Sequence, residues 1–552
     1  MKRLTVILLM IASLTACGGE KEEKLWSQGE KAQESFEEVA AEGELEQEDS
    51  PNEKSNVVPL EVLLADQYLE EWSETESGEW DETYTKLCTV TWQELVLSAE
   101  CAREYPQLSK ALQEKNKEFE QYSNDSMEYL LPLAQDAYDD EKEFDSSSFY
   151  PFSGDSKLSV QRGDNLIVSV REDFYEYSGG VHSIYGIIGM NYDSATGDVL
   201  LITDVLTDIS SLPTLLSEKI IAVYGDEYES YESLQGYLEE EYGPEDYNWT
   251  MSYQGITFYF NPYEIASYAE GIIQTTLWFD EIQELIKAEY TDVPKGGYAM
   301  TLPLGYDIDV DLDPLDGKRD SILVSSFYQT EEDQEYGSLT LRIAKNDTYC
   351  EGPGYGYEFI SYLVCTQEQD KERYYLYVES IQENDYSILR VYDLNQEEIR
   401  WEELSGVGFS GDWDENTGKY GTYYNHVLNN PQSFELVTKI EILGTWQGKR
   451  LYAVDTENGI PQAYKEDYLI SSGDHSTVSL IPLEVSMLPD MKLEELPAGT
   501  NFNFLRTDGE SYVDAQLEDG RECRIYVEFE GGQQSVNGVE QWECFEELWY
   551  AG

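Results

Sequence analysis

The stretch Tyr175-Glu-Tyr-Ser-Gly-Gly-Val-His-Ser-Ile-Tyr185, followed by Gly189-Met-Asn-Tyr-Asp-Ser-Ala-Thr-Gly197 and Leu200-Leu-Ile-Thr-Asp-Val-Leu206, leaves the backbone little choice. It reads as strands joined by turns. Gly179-Gly180 permits positive φ where other residues resist it. Asp193 to Gly197 is a polar turn between apolar runs, as a hairpin requires. Some sixty residues later, Gly255-Ile-Thr-Phe-Tyr-Phe-Asn-Pro-Tyr-Glu-Ile-Ala-Ser-Tyr-Ala-Glu-Gly271 begins as a strand, breaks at Pro262 and continues into small and aromatic residues.

These stretches together resemble the extracytoplasmic domain of RsiV-type anti-sigma factors. The resemblance rests on Gly179-Gly180-Val181-His182, on Asn191 to Gly197, and on Asn261-Pro-Tyr-Glu-Ile-Ala-Ser-Tyr-Ala269. Tyr105-Pro-Gln-Leu-Ser-Lys-Ala-Leu112 looks like the opening segment of the same family, so the likeness covers roughly residues 85–290. It implies a receptor-like α+β domain outside the membrane and, by analogy, recognition of lysozyme. The family's anti-sigma segment and an internal membrane span are not found in this sequence, so function has to be argued from the site. The expected contact surface is the Gly-Gly turn (Gly179, Gly180) with Asn191 and the edge Asn261, Pro262, Tyr263, Glu264 and Tyr268. Tyr177, His182, Tyr263 and Tyr268 would supply contact area, and Glu264 a charge for a basic partner. As a lone histidine, His182 also reads as a donor bracing the turn.

The chain has 552 residues, enough for about three domains plus tails. It carries 35 basic against 112 acidic side chains, a formal charge of −77. Such a surface repels nucleic acid and anionic lipid and attracts cations and basic proteins, which excludes nucleic-acid binding. It also serves solubility alone. Met1-Lys-Arg opens an apolar run, Leu4 to Leu14, too short to span a bilayer. Leu14-Thr-Ala-Cys17 matches the bacterial lipoprotein box, so residues 1–16 read as a signal peptide. Cys17 becomes the lipidation site, which places the chain outside the cytoplasm, anchored to the bacterial cell membrane. Residues 17–56, Glu- and Lys-rich, read as a disordered acidic linker.

The remainder divides by pattern into a mixed domain over 57–292, a β-rich domain over 295–470, and a small β domain over 476–552. In the first, Leu108, Ala111, Leu112 and Phe119 share one helical face, and Met127, Leu130, Leu131 and Ala134 suggest a second helix. Leu212 to Val223 fits a helix with Pro213 in its first turn, and a short helix is expected from Asp280 with Gln283 completing a capping box. In the last domain, Asp508-Gly509 and Asp519-Gly520 are hairpin signals ten residues apart, in a pattern that resembles a bacterial SH3-like barrel. The expected fold class is therefore α+β: an RsiV-like mixed sheet-and-helix domain, then two β-rich domains.

Asp307 to Val324 looks like a calcium loop. Asp309, Asp311, Asp313, Asp316 and Asp320 around Gly317 would offer oxygens to a hard cation; strand alternation would instead make the first of them ordinary solvated positions. Besides Cys17 there are Cys88, Cys101, Cys350, Cys365, Cys523 and Cys544. Each near pair falls within one expected domain of an exported chain, so local disulfides are the natural hypothesis, although six cysteines allow fifteen pairings. The three histidines, His182, His426 and His475, lie in separate segments and supply neither a zinc site nor a Ser/His/Asp order. A non-enzymatic binding lipoprotein follows, for a lysozyme-like muramidase or other basic protein. The alternatives are a binder of peptidoglycan fragments or other glycans, and a carboxylate-pair glycan hydrolase.

Overall fold

In the computed structural model the quoted hairpin is the outer part of a seven-stranded sheet. The structure describes residues 57–73, 84–143, 149–225, 234–313, 316–329, 338–356, 358–368, 371–382, 386–413, 423–470 and 476–550. The signal peptide, the acidic linker, Cys17 and His475 lie outside them.

Strands β1 (Val62–Trp72) and β2 (Lys86–Leu97) form a long antiparallel pair. A short helix α1 (Ala99–Glu104) and a long helix α2 (Pro106–Glu143) follow, and then β3 (Phe152–Gly163) pairs parallel to β2. A parallel neighbour needs a crossover connection, and the helices provide it. Where the periodicity suggested two helices, α2 is one. Leu108, Leu112, Asn116, Phe119, Ser123, Met127, Leu130 and Ala134 are all buried and advance by three or four, so Ser123 carries the stripe through the polar middle. Pro132 points to the exposed side of that stripe.

Strands β4 (Ile167–Tyr177) and β5 (Ile184–Asp193) complete the sheet on one edge. The other edge is built from strands Tyr423–His426 and Gly411–Trp413. Beside β5 stands a small unit of helices α3 (Leu212–Tyr224) and α4 (Leu234–Glu241) with strands β6 (Trp249–Met251), β7 (Gly255–Phe260) and β8 (Ile273–Trp278). Leu212, Leu216, Ile220, Leu238, Phe258, Phe260 and Leu277 form its core. Asp280 begins a series of turns rather than the expected helix. Glu281, not Gln283, reaches back to the strand end, accepting from Trp278 N at 3.2 Å.

The middle of the chain is a five-stranded sheet buried on both faces. In its central strand, Lys371–Ile381, seven successive residues from Tyr374 to Ser380 are buried, the signature of a strand covered on both sides. Tyr375 and Tyr377 join the core shared with the seven-stranded sheet. Tyr374, Leu376 and Val378 face a four-stranded sheet through Ile322, Val324, Leu341 and Ile343. The expected boundary near residue 292 is therefore not a break: strand Tyr423–His426 pairs with β1, and one core joins residues 60–192 to residues 299–454.

The C-terminal hairpins are where Asp508-Gly509 and Asp519-Gly520 placed them. They do not form a separate SH3-like barrel. Strand Tyr468–Ile470 pairs with both Thr445–Val454 and Asn501–Thr507, so the proposed division at 470–476 falls inside one eleven-stranded sheet.

Candidate functional site

The turn between β4 and β5 runs through Gly179 (φ 87°) and Gly180 (φ 93°). At Gly179 a Cβ would come within 2.8 Å of the Phe152 ring, so both conformation and space demand glycine there. Val181 is 92% exposed at the tip, and His182 is exposed beside it.

Next to this turn, β5 meets β6 and β7 with no backbone ladder between them. Asparagine side chains take its place. Asn261 accepts from Ile187 N at 2.7 Å and donates to Ile187 O at 3.0 Å. Asn248 accepts from Gly189 N at 2.7 Å and donates to Ile187 O at 2.7 Å. Asn191 accepts from Ser169 Oγ at 2.6 Å and donates to Trp249 O at 2.8 Å. A primary amide offers a donor and an acceptor as a peptide group does, so three of them satisfy a strand edge that would otherwise be buried unpaired. The approach is close: a Cβ on Gly189 would lie 1.9 Å from Trp249 O.

The clamp brings the two quoted stretches together. Tyr268 donates its hydroxyl proton to Ser183 O at 2.9 Å. Its ring centroid lies 4.9 Å from that of His182 and 5.4 Å from that of Tyr185, both edge-to-face, and 5.9 Å from that of Tyr263. These are the separations at which aromatic rings attract. Tyr263 is 77% exposed on a left-handed backbone (φ 71°), held by Tyr263 N donating to Ala266 O at 2.9 Å and Glu264 N to Asn261 O at 3.0 Å. Ile265, buried in the neighbouring core, anchors the loop from beneath. The result is an aromatic corner with Val181, His182 and Tyr263 facing water.

Of the residues expected at a contact surface, Gly179, Gly180, His182, Asn261, Pro262, Tyr263, Glu264 and Tyr268 lie in the two segments that meet here. Asn191 does not face solvent; it is 3% exposed and works as part of the clamp. Tyr177 turns away, its ring 5.7 Å from Phe152 in the core beneath α2. Tyr185 and Asn248 were missed. Tyr185 stands in the quoted stretch, but strand alternation alone does not say which face has an aromatic neighbour. Asn248 had no local signal, because its role exists only once β5 and β6 are side by side.

The calcium reading is corrected. Asp311 pairs with Arg319, whose guanidinium also holds Asp280 at 2.5 Å and lies 4.5 Å over the Trp278 ring. Asp320 accepts from Leu312 N at 3.0 Å and from Asn346 Nδ2 at 2.6 Å. Asp316 accepts from Lys318 N at 2.8 Å. Asp309 stands on a strand opposite Ser321, and Asp313 is exposed in the following loop. Arginine, asparagine and backbone donors each occupy oxygens of Asp311, Asp316 and Asp320 separately, and among the described residues no three acidic, histidine or cysteine side chains converge as a metal site.

The disulfide reading is corrected as well: all six cysteines are free thiols. Cys88 and Cys101 are separated by nearly the whole of β2, about 30 Å at the rise of a strand. Cys350 pairs with Ile343 in the four-stranded sheet, while Cys365 lies between Tyr298 and Tyr374 in the facing sheet. Cys523 and Cys544 share a core, yet the Cys544 thiol donates to Val536 O at 3.7 Å and Val539 O at 3.5 Å. Burial pushes Cys88 and Cys350 up to about 11 and Cys523 to about 12, so these thiols are poorly nucleophilic.

Residues 209–280, from the loop before α3 to the end of β8, match a family described as protein of unknown function (DUF3298). That span contains Asn248, Asn261, Tyr263 and Tyr268 but not the Gly179–His182 turn. Among solved structures, the chain is similar to a DUF3298-family member from Bacteroides fragilis at 20% identity, over 42% of this chain and 96% of that one, with a TM-score of 0.30. It is also similar to a DUF3298-family protein from Pseudomonas aeruginosa at 17% identity, over 42% and 97% of the two chains, with a TM-score of 0.27. No curated protein matches it.

Proposed function

We propose that the aromatic corner is a docking surface for a basic protein of the lysozyme type. In this reading the chain is a non-enzymatic receptor held outside the cytoplasm by lipid on Cys17. The observation that carries the reading is the convergence of His182, Tyr185 and Tyr263, drawn from segments some eighty residues apart, on the half-buried ring of Tyr268. Rigid aromatic side chains with polar tips give contact area at low entropic cost and dominate interface hot spots. Tyr263 keeps its ring in water on a strained backbone, and strain of that kind is usually retained where it serves a site. The charge of −77 complements a basic partner and raises its encounter rate. The lipoprotein box before Cys17 supports the anchoring.

The test is Tyr263→Ala in the full exported chain, with binding to lysozyme and to soluble peptidoglycan fragments measured in parallel. The substitution leaves net charge untouched and removes an exposed anchor, so lysozyme affinity should fall roughly thirtyfold, a loss of about 2 kcal/mol. Unchanged lysozyme binding would reduce the interaction to general charge attraction. Loss of fragment binding alone would favour the glycan reading.

A further inference from the structure

The face that β4 and β5 turn toward α2 is only partly covered. At one end of β5, Met190 and Tyr192 lie under the helix and share a core with Leu112 and Phe119. Toward the Gly179-Gly180 turn that cover ends, and Ile188 is 37% and Ile184 57% exposed. Register fixes what stands beside them. Ile184 is opposite Glu176, Gly186 opposite Phe174, and Ile188 opposite Glu172, so these residues share the face. Gly186 leaves room for the Phe174 ring, which lies 2.7 Å from where a Cβ would stand. Ile184, Phe174 and Ile188 therefore form an apolar row with a carboxylate beside each end.

Each carboxylate is held by one hydroxyl. Ser126 Oγ donates to Glu176 Oε2 at 3.2 Å, and Ser156 Oγ to Glu172 Oε1 at 2.8 Å. Glu172 is buried and Glu176 half-buried, and burial raises the pKa of both. Lys115, the cation that acts on Glu172, is already paired with Glu118 at 3.2 Å. The α2 flank above the row carries Tyr122, whose hydroxyl is pushed up to about 12 by burial and by Glu176 and Glu172. The row is also continuous with the aromatic corner. Ile184 follows His182 by two residues, about 7 Å of extended chain. A Cβ on Gly186 would stand 2.8 Å from Oδ1 of Asn261, where the corner's loop begins.

We infer that the footprint of a basic protein partner runs from the aromatic corner onto this row, where it sets an apolar patch edged by lysine or arginine. The inference rests on the reading of the corner as a docking surface. A standard interface buries about 800 Å2 on each partner, more than Val181, His182 and Tyr263 provide even at ~200 Å2 apiece. The row is the adjoining exposed apolar surface, and such surface marks contact with another protein. Charge selects the partner's side of it. Two carboxylates without a cation in contact, in a chain at −77, favour basic side chains. Lysine and arginine bring an aliphatic stem for the isoleucines and a positive head for Glu176.

The test measures lysozyme binding to the full exported chain for Ile184→Ser with Ile188→Ser, and for Glu176→Gln, beside Tyr263→Ala. The double variant should weaken binding about tenfold and Glu176→Gln about fivefold. Thermal midpoints should stay near that of wild type, because both isoleucines are exposed and glutamine still accepts from Ser126. Charge gives the sharper readout: Ile184→Lys should bind more weakly than Ile184→Glu, although both remove the same apolar contact. If Tyr263→Ala weakens binding and the row variants do not, the inference is overturned while the corner stands. If the row variants weaken it and Tyr263→Ala does not, the row is kept and the corner is lost. The inference is also overturned if Ile184→Lys binds as well as Ile184→Glu. Equal weakening by Leu493→Ser, exposed on strand Lys492–Leu496 of the eleven-stranded sheet, would overturn it as well. Absence of lysozyme binding by the wild type removes corner and row together.

Discussion

Tyr263 and Glu379 are two residues held in states that cost free energy, and they differ in what the cost leaves behind. Tyr263 adopts φ 71° in a loop pinned by two backbone hydrogen bonds and keeps its ring in water. Glu379 is 3% exposed on strand Lys371–Ile381, with Glu358 the charged neighbour that acts on it. Phe409 N donates to it at 3.1 Å, which ties the five-stranded sheet to strand Val407–Phe409 of the next sheet. Burial pushes its carboxyl up to about 7 from 4.5. Since the folded state holds this proton more tightly than the unfolded chain, the associated stability is complete below about pH 4.5 and is lost as pH rises to about 7. Glu379→Gln keeps an acceptor for Phe409 and has no proton to lose. Its stability relative to wild type should therefore rise between pH 5 and pH 7 by up to about 3 kcal/mol, measured as the difference between two denaturation series. A constant difference would mean that the folded wild type holds the carboxylate charged throughout. No sequence pattern marked Glu379, because one acidic residue in an apolar strand has no partner to point to it. The cysteines erred in the opposite direction: nearness in sequence suggested pairs, but Cys88 and Cys101 are kept apart by the strand between them.

Elements were legible where one period ran uninterrupted and illegible where a side chain replaced a backbone partner. The α3 helix, the hairpin at Gly179-Gly180 and the two Asp-Gly hairpins follow directly from local pattern. The length of α2 does not, because Ser123 and Ser126 are polar residues on its buried face. The seam between β5 and β6 is the clearest case of hidden structure. Its three asparagines are spread over seventy residues, and only Asn191 and Asn261 stood in recognisable stretches. Gly189 makes this seam testable. A methyl group there meets Trp249 O at 1.9 Å, so Gly189→Ala must push β5 and β6 apart and stretch the Asn248 and Asn191 bonds. A loss of about 2–3 kcal/mol is expected, as for other overpacked sites, with aromatic near-ultraviolet dichroism altered because Tyr268 and His182 separate. Gly180→Ala, where nothing lies within 4 Å, carries only the backbone term of about 1 kcal/mol and serves as the control. Equal losses in the two variants would mean that the seam is not close-packed.

At the scale of the whole molecule, sequence and structure part company over domains. Composition suggested three, divided near residues 292 and 470, but strands cross both divisions and the five-stranded sheet is buried on two faces. Pairings between residues more than three hundred positions apart, such as Leu63 with His426, leave no trace in local pattern. What composition did convey is charge, and charge acts on stability and on recognition with opposite signs. At −77 the folded chain repels itself, and compaction brings its carboxylates closer than they lie in the unfolded state. Raising ionic strength from about 10 mM to about 150 mM shortens the Debye length from ~30 Å to ~8 Å. Self-repulsion weakens, so the thermal midpoint should rise by several degrees. If the chain binds a basic partner as proposed, the same screening removes the long-range attraction, so the partner's association rate should fall steeply while its dissociation rate changes little. The two trends are measured on one sample series, by calorimetry and by stopped-flow mixing with lysozyme. If stability fell with salt, local ion pairs such as Arg162–Asp164 and Arg524–Asp514 would outweigh the global field. If the association rate were flat, the aromatic corner would have to recognise its partner by shape alone, and the excess of carboxylates would serve solubility rather than binding.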